Sequence, residues 1–147
     1  MKLVRVGVGQ PCALPLMNDS VPAGFPSPAT DHVEDRIDLN DLIIKHPSAT
    51  FFIRVEGDSM KDAFIPEHAL LVIDRSIKPV SNNIVLAVIG DEFTVKRYVV
   101  NSKGTFLYPA NKKYKALQIT EEMNMKVWGV VTHIIIDTKV LHDDRDY

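Results

Sequence analysis

One cysteine, Cys12, cannot close a disulfide within the chain, so no such staple is available to the fold and a reducing cytoplasm is the expected compartment. None of the five histidines, His32, His46, His68, His133 and His142, stands at zinc-ligand spacing from another ligand. No structural metal and no cofactor are implied, and each histidine is read as a surface or satisfied core residue. No apolar run approaches the roughly 18 to 20 residues that span a bilayer, and no cationic start precedes an apolar stretch at the N-terminus. The chain is therefore expected to be neither exported nor membrane-anchored. A formal net charge of -2 gives no broad positive field, which disfavours direct DNA binding.

What the chain does have is an apolar fraction of 46% and a charged fraction of 24% over 147 residues, which suits one compact core with appendages. Proline is concentrated early, at Pro11, Pro15, Pro22, Pro26 and Pro28, where it interrupts both helical and sheet periods. Residues 1–30 are read as a flexible arm and residues 31–147 as the folded domain. Within the arm, Val21-Pro22-Ala23-Gly24-Phe25-Pro26-Ser27-Pro28 is expected to be extended and exposed, the form a protease cleft accepts. A simple tether explains the same composition. Cys12 has no evident base beside it and is read as an exposed, inert thiol.

Beyond the arm, Val33, Ile37, Leu39, Leu42 and Ile43 give a loose helical period. It predicts a helix or two short turns over 31–44, with Asp31 as cap and Pro47 as stop. After that, β-branched and aromatic runs predict short strands at 50–55, 70–74, 84–89, 93–100, 105–108 and 125–136, an all-β pattern with little helix. Gly90-Asp91 is suited to a tight hairpin turn between two of these strands. The acidic tail Asp143-Asp144-Arg145-Asp146 is expected to fray.

Two residues carry chemical interest. Lys96 lies inside a β-branched run; by period-2 alternation it shares a face with Thr94, Tyr98 and Val100, and so points toward a mostly apolar cleft. Burial disfavours the ammonium, and a neutral amine is a general base. An edge-strand lysine that discourages aggregation is the plainer reading of this strand alone. Ser59, after Gly57-Asp58, stands where a strand gives way to a helix start, so the N–H groups of Asp58 and Ser59 are candidates to hold an oxyanion. An N-cap serine is the plainer reading. The segment lacks the second glycine of a nucleophile elbow, which argues against a Ser-His-Asp hydrolase. Lys112, Lys113 and Lys115 around Tyr114 read as a solvated loop.

Taken together, Gly57-Asp58-Ser59-Met60 and the hairpin ending Glu92-Phe93-Thr94-Val95-Lys96-Arg97, with Lys96 37 positions after Ser59, resemble the LexA/UmuD self-cleaving peptidases. The Ala23-Gly24 bond falls where that family cuts itself. Gly24-Phe25-Pro26-Ser27-Pro28, His46-Pro47-Ser48-Ala49-Thr50 and Trp128-Gly129-Val130-Val131 look specifically like the UmuD branch. Only 23 residues precede Gly24, fewer than a helix-turn-helix module needs, so a repressor is not expected.

The resemblance implies a mostly β, LexA/signal-peptidase-like domain in which Lys96 activates Ser59 for attack on the Ala23 carbonyl. It also implies a homodimer and self-cleavage promoted by a RecA filament on single-stranded DNA. The processed form would serve a UmuC-like error-prone DNA polymerase in the SOS response. Where the family commonly carries a glycine pair and then a Gly-Asp turn, this chain has Ala63-Phe64 and Glu67-His68-Ala69, which bears on loop shape and cleavage rate. Two further readings stand beside this one: a peptidase acting on other proteins, including a phage-type regulator, and a non-catalytic binding module that retains the motif.

Overall fold

The computed structural model describes residues 3–5, 9–17, 21, 23, 24, 26 and 33–141. The expectations for Pro22, Phe25, Ser27, Pro28, Asp31, His32, His142 and the tail at 143–146 lie outside the described residues. Internal contacts separate two units, Val8–Lys45 on one side and His46–Tyr147 with Met1–Gly7 on the other.

The smaller unit is a two-stranded antiparallel ribbon, β2 (Ala13–Met17) against β3 (Val33–Asp38), followed by a short helix α1 (Leu39–Ile43). Of the span 31–44, where a helix or two short turns are expected, Leu39–Ile43 is helix and Val33–Asp38 is strand. Val33 and Ile37 suit either period, because they are four apart and also on one face of a strand. Pairing with β2 supplies partners from a distant part of the sequence and decides the matter. Asp38 then starts the helix, its carboxylate accepting the Asn40 N–H at 2.9 Å and the Cys12 N–H at 2.8 Å. Pro15, expected to interrupt any sheet period, sits inside β2 opposite Arg36. A two-stranded ribbon has only edge strands, where a missing N–H can face outward.

The larger unit is one antiparallel sheet of eight strands among the described residues. They are β1 (Leu3–Arg5), β4 (Thr50–Arg54), β5 (Leu70–Asp74), β6 (Ile84–Ile89), β7 (Glu92–Asn101), β8 (Gly104–Tyr108), β9 (Leu117–Gln118) and β10 (Lys126–Ile135). Their spatial order is β1-β4-β5-β10-β6-β7-β8-β9. The mostly β class read from the sequence is therefore the observed one. The β-branched runs chosen as strands form strands because each buries at least one face: β5 is buried over four of its five positions and β6 over its middle three.

Period-2 alternation divides the core. Leu86 and Val95, paired across β6 and β7, join Ile53, Leu71, Ile73, Met60 and Ile65 in one cluster. Val85 and Ala87 on the opposite face join Leu107 and Val130 in another. The β6–β7 hairpin turns at Gly90-Asp91 with Gly90 at φ +60° and Asp91 outside the left-handed region, as in a type II′ turn. Among the described residues no helix is long and apolar enough to cross a membrane.

Candidate active site

The β6–β7 register fixes the lysine. Lys96 pairs with Val85 and Thr94 with Ala87, so both stand on the face of the second cluster beside two fully buried apolar residues. Next to them opens a cavity of about 410 Å³, walled by Ile89, Phe93, Leu107 and Leu117 with Thr94, Lys96 and the charged Glu92 and Lys115. Its apolar wall is the setting that alternation along the strand predicts. Its effect on Lys96 is desolvation, which pushes the amine below the ordinary lysine value of 10.5.

The serine arrives on a turn. Gly57, at φ +83°, takes the chain out of β4 in a left-handed conformation that a side chain would strain. A single 3₁₀ turn, Lys61–Ala63, follows the serine in place of the expected helix start. The turn is anchored by burial of Met60 and Ile65, which keeps half-buried Ser59 next to the sheet.

Lys96 Nζ lies 3.0 Å from Ser59 Oγ, 2.9 Å from Thr94 Oγ1 and 3.0 Å from the Val95 carbonyl oxygen. An ammonium would donate to all three. A neutral amine would donate to Thr94 and Val95 and accept the Ser59 hydroxyl proton, which is the arrangement a base needs. Among the described residues no carboxylate forms an ion pair with Lys96. Nothing there restores the charge that burial disfavours.

The N–H of Ser59 has no acceptor among the described residues, and neither has that of Met60. The N–H of Asp58 lies against its own carboxylate. Ala23 and Gly24 belong to the other unit, where both are exposed at a bend. Of the residues singled out in the sequence, the structure brings together Asp58, Ser59 and Lys96 in the larger unit.

Loop 110–114, read from its lysines as merely solvated, holds the serine turn. Ala110 N–H donates to the Ser59 carbonyl at 2.8 Å, and Asn111 Nδ2 donates to the Asp58 carbonyl at 2.9 Å. Tyr114 donates its hydroxyl to Asp58 Oδ1 at 2.7 Å. The one sequence signal was Pro109-Ala110-Asn111, a turn-forming stretch just ahead of the charges.

The segments that depart from the family's glycine pattern show why glycine suits them. Phe64 adopts φ +61° and His68 φ +70°, both left-handed. Glu67 accepts the Gly57 N–H at 3.3 Å, tying the departing segment to the start of the serine turn. His46 shares a 2.6 Å contact with Asp74 and so is satisfied structurally.

Among known proteins, residues 15–132 match the family described as peptidase S24-like. The chain is 44% identical over 127 residues to the protein ImpA of Salmonella typhimurium, covering 86% of each. It is 38% identical over 135 residues to the protein MucA of Escherichia coli, covering 91% of this chain and 92% of the relative. A LexA repressor of Shewanella piezotolerans is 33% identical over 123 residues, covering 83% of this chain and 59% of the repressor. With a family model matched over residues 15–132 and relatives aligned along most of its length, this chain belongs to the S24-like peptidase family, in its LexA/UmuD group.

Proposed function

We propose that the chain is an SOS-response protein that cuts itself between Ala23 and Gly24, with Ser59 as nucleophile and Lys96 as base. The observation that carries this reading is the 3.0 Å approach of Nζ to Oγ by a half-buried lysine without a carboxylate partner among the described residues. Neutral Lys96 takes the Ser59 proton as Oγ bonds to the Ala23 carbonyl carbon. The oxyanion meets the Ser59 N–H and, once it leaves its own carboxylate, that of Asp58. Lys96 returns the proton to the Gly24 nitrogen as the peptide bond breaks. Water then attacks the Ala23 ester, with Lys96 again as base, and restores the Ser59 hydroxyl.

Exposed, small residues on both sides of the bond suit close approach by a nucleophile. Tethering makes the attack unimolecular, worth up to about 7 to 11 kcal/mol of barrier when the geometry is right. A dyad without histidine is then sufficient for one turnover. In this reading a RecA filament on single-stranded DNA favours the arm-in-cleft state, and both uncut and processed chains are homodimers in the cytoplasm. The form beginning at Gly24 acts as accessory subunit of a UmuC-like translesion polymerase. Relationship to ImpA, MucA and LexA supports this assignment.

Purified protein held at alkaline pH should slowly yield a fragment beginning at Gly24, seen by mass measurement, and Ser59→Ala should not. Equal cutting in both proteins would falsify the dyad. Unchanged mass in both, with a RecA filament present, would leave a binding module.

A further inference from the structure

We infer that Asn111 and Tyr114 are positioning residues for the nucleophile turn: from one loop they hold the peptide unit that carries the Ser59 N–H toward the developing oxyanion. This rests on the Ser59/Lys96 reading above. The argument begins with peptide planarity. The Asp58 carbonyl and the Ser59 N–H belong to one rigid plane and point in opposite directions, so fixing the oxygen aims the hydrogen.

The Asp58 oxygen is held twice, by Asn111 Nδ2 at 2.9 Å and by the Lys61 N–H at 3.2 Å. The next plane is held the same way, since the Ser59 oxygen accepts the Ala110 N–H at 2.8 Å and the opposite edge is the Met60 N–H. Ala110 in turn accepts the Asp62 N–H at 2.8 Å, closing the frame beyond the serine.

Asn111 is built for this task. It is buried at 5% exposure inside an otherwise exposed loop, and its Oδ1 accepts the Lys113 N–H at 3.0 Å. That second bond fixes which end of the amide faces Asp58, because a flipped amide would set NH₂ against N–H. Tyr114 completes the frame from the side-chain end through its 2.7 Å bond to Asp58 Oδ1.

The charged groups facing that carboxylate are Lys113 and Lys61. Tyr114's hydrogen bond, helped by these cations, outweighs desolvation and holds Asp58 below the usual carboxylate value. The same bond lifts the Tyr114 hydroxyl above its ordinary 10.0, so the phenol holds the proton it donates to Asp58 more firmly than a free tyrosine does.

The test follows self-cleavage of the full chain against pH for the parent, Tyr114→Phe, Asn111→Asp and Ser59→Ala, with thermal midpoints measured alongside. Asn111→Asp keeps the shape and the Lys113 contact but removes the donor. It should cut about 10- to 100-fold more slowly at every pH, and Tyr114→Phe about 3- to 10-fold more slowly, since small misplacements of reacting groups cost this much. The pH of half-maximal rate in Tyr114→Phe should stay where the parent has it, because that change adds no charge near Lys96. Parental rates in both variants, or in Tyr114→Phe a shifted pH midpoint in place of a lowered plateau, overturn the proposal. Cutting by Ser59→Ala would instead overturn the dyad on which it rests. If Asn111→Asp fails to fold, Tyr114→Phe decides alone, since it removes one hydroxyl from an exposed ring.

Discussion

Lys96 stands directly across the β6–β7 ladder from Val85, a residue with no water-accessible surface. The register of one hairpin therefore sets the acidity of the amine. Shifting the pairing by one residue would turn Lys96 to the other face.

From that relationship follows a pH dependence. Burial lowers the folded-state value of Lys96 below 10.5, so the neutral fraction, and with it the self-cleavage rate, should rise with pH with its midpoint below 10.5. A rate that climbs through that value with no earlier inflection contradicts the assignment. The linkage has the matching sign: between the folded and unfolded values the unfolded chain binds more protons, so stability rises with pH across that window. The parent should accordingly gain on Lys96→Met in denaturant midpoint as pH is raised from 7 toward 10.5. A gap that stays constant or widens against the parent would show that Lys96 is not desolvated.

Phe64 and His68 hold left-handed backbone angles without being glycine. Phe64 is 83% exposed, so its side chain returns little packing for that strain. Left-handed conformation costs such residues about 1 to 3 kcal/mol, partly offset by the entropy that glycine loses on folding. Phe64→Gly and His68→Gly should each raise stability by about 0.5 to 1 kcal/mol in denaturant unfolding. A fall in either variant would mean that the side chain makes a compensating contact.

Asp74 is buried at 3% exposure and accepts from Ser76 N–H at 2.8 Å, Ser76 Oγ at 2.6 Å and His46 Nδ1 at 2.6 Å. Burial by itself raises its acid value, and the bonds from Ser76 and His46 overcome that and hold it below 3.8. A lowered acid stabilises the fold above its unfolded value and loses that contribution as pH falls through the folded one. Asp74→Asn should cost about 2 kcal/mol at pH 7. The difference from the parent should shrink as pH falls below 3.8 and through the lower folded-state value. Equal stability of the two proteins at pH 7 would contradict this.

A Cβ on Gly129 would collide with Ile73 Cγ2 and press on the Asp74 carbonyl oxygen. The register of β10 against β6 shifts between Val127 and Gly129, so the backbone there runs close to β5. Gly129→Ala should destabilise by about 1 to 3 kcal/mol. A calorimetric midpoint matching the parent's would show that Ile73 can move aside freely.

Much of this was legible in the residues themselves. The strands from β4 to β8, and β10, announce themselves as β-branched runs between turn residues, and Gly90-Asp91 marks its hairpin, because burial of alternate side chains leaves a local trace. The separation of Ser59 from Lys96 and the apolar neighbours of Lys96 were equally readable. What no local pattern carried were the contacts made at long sequence distance. Residues 33–38 became a strand only because 13–17 lie beside them, and the two-residue β9 is too short for any period to reveal. Asn111 became the brace of the serine turn only because the fold brings it to Asp58 across 53 positions of chain. Composition and periodicity marked most strands of the larger sheet and the lysine that stands among apolar neighbours. Tertiary structure decided which carbonyls needed holding and by whom, since a hydrogen bond between distant loops leaves no repeating mark on either.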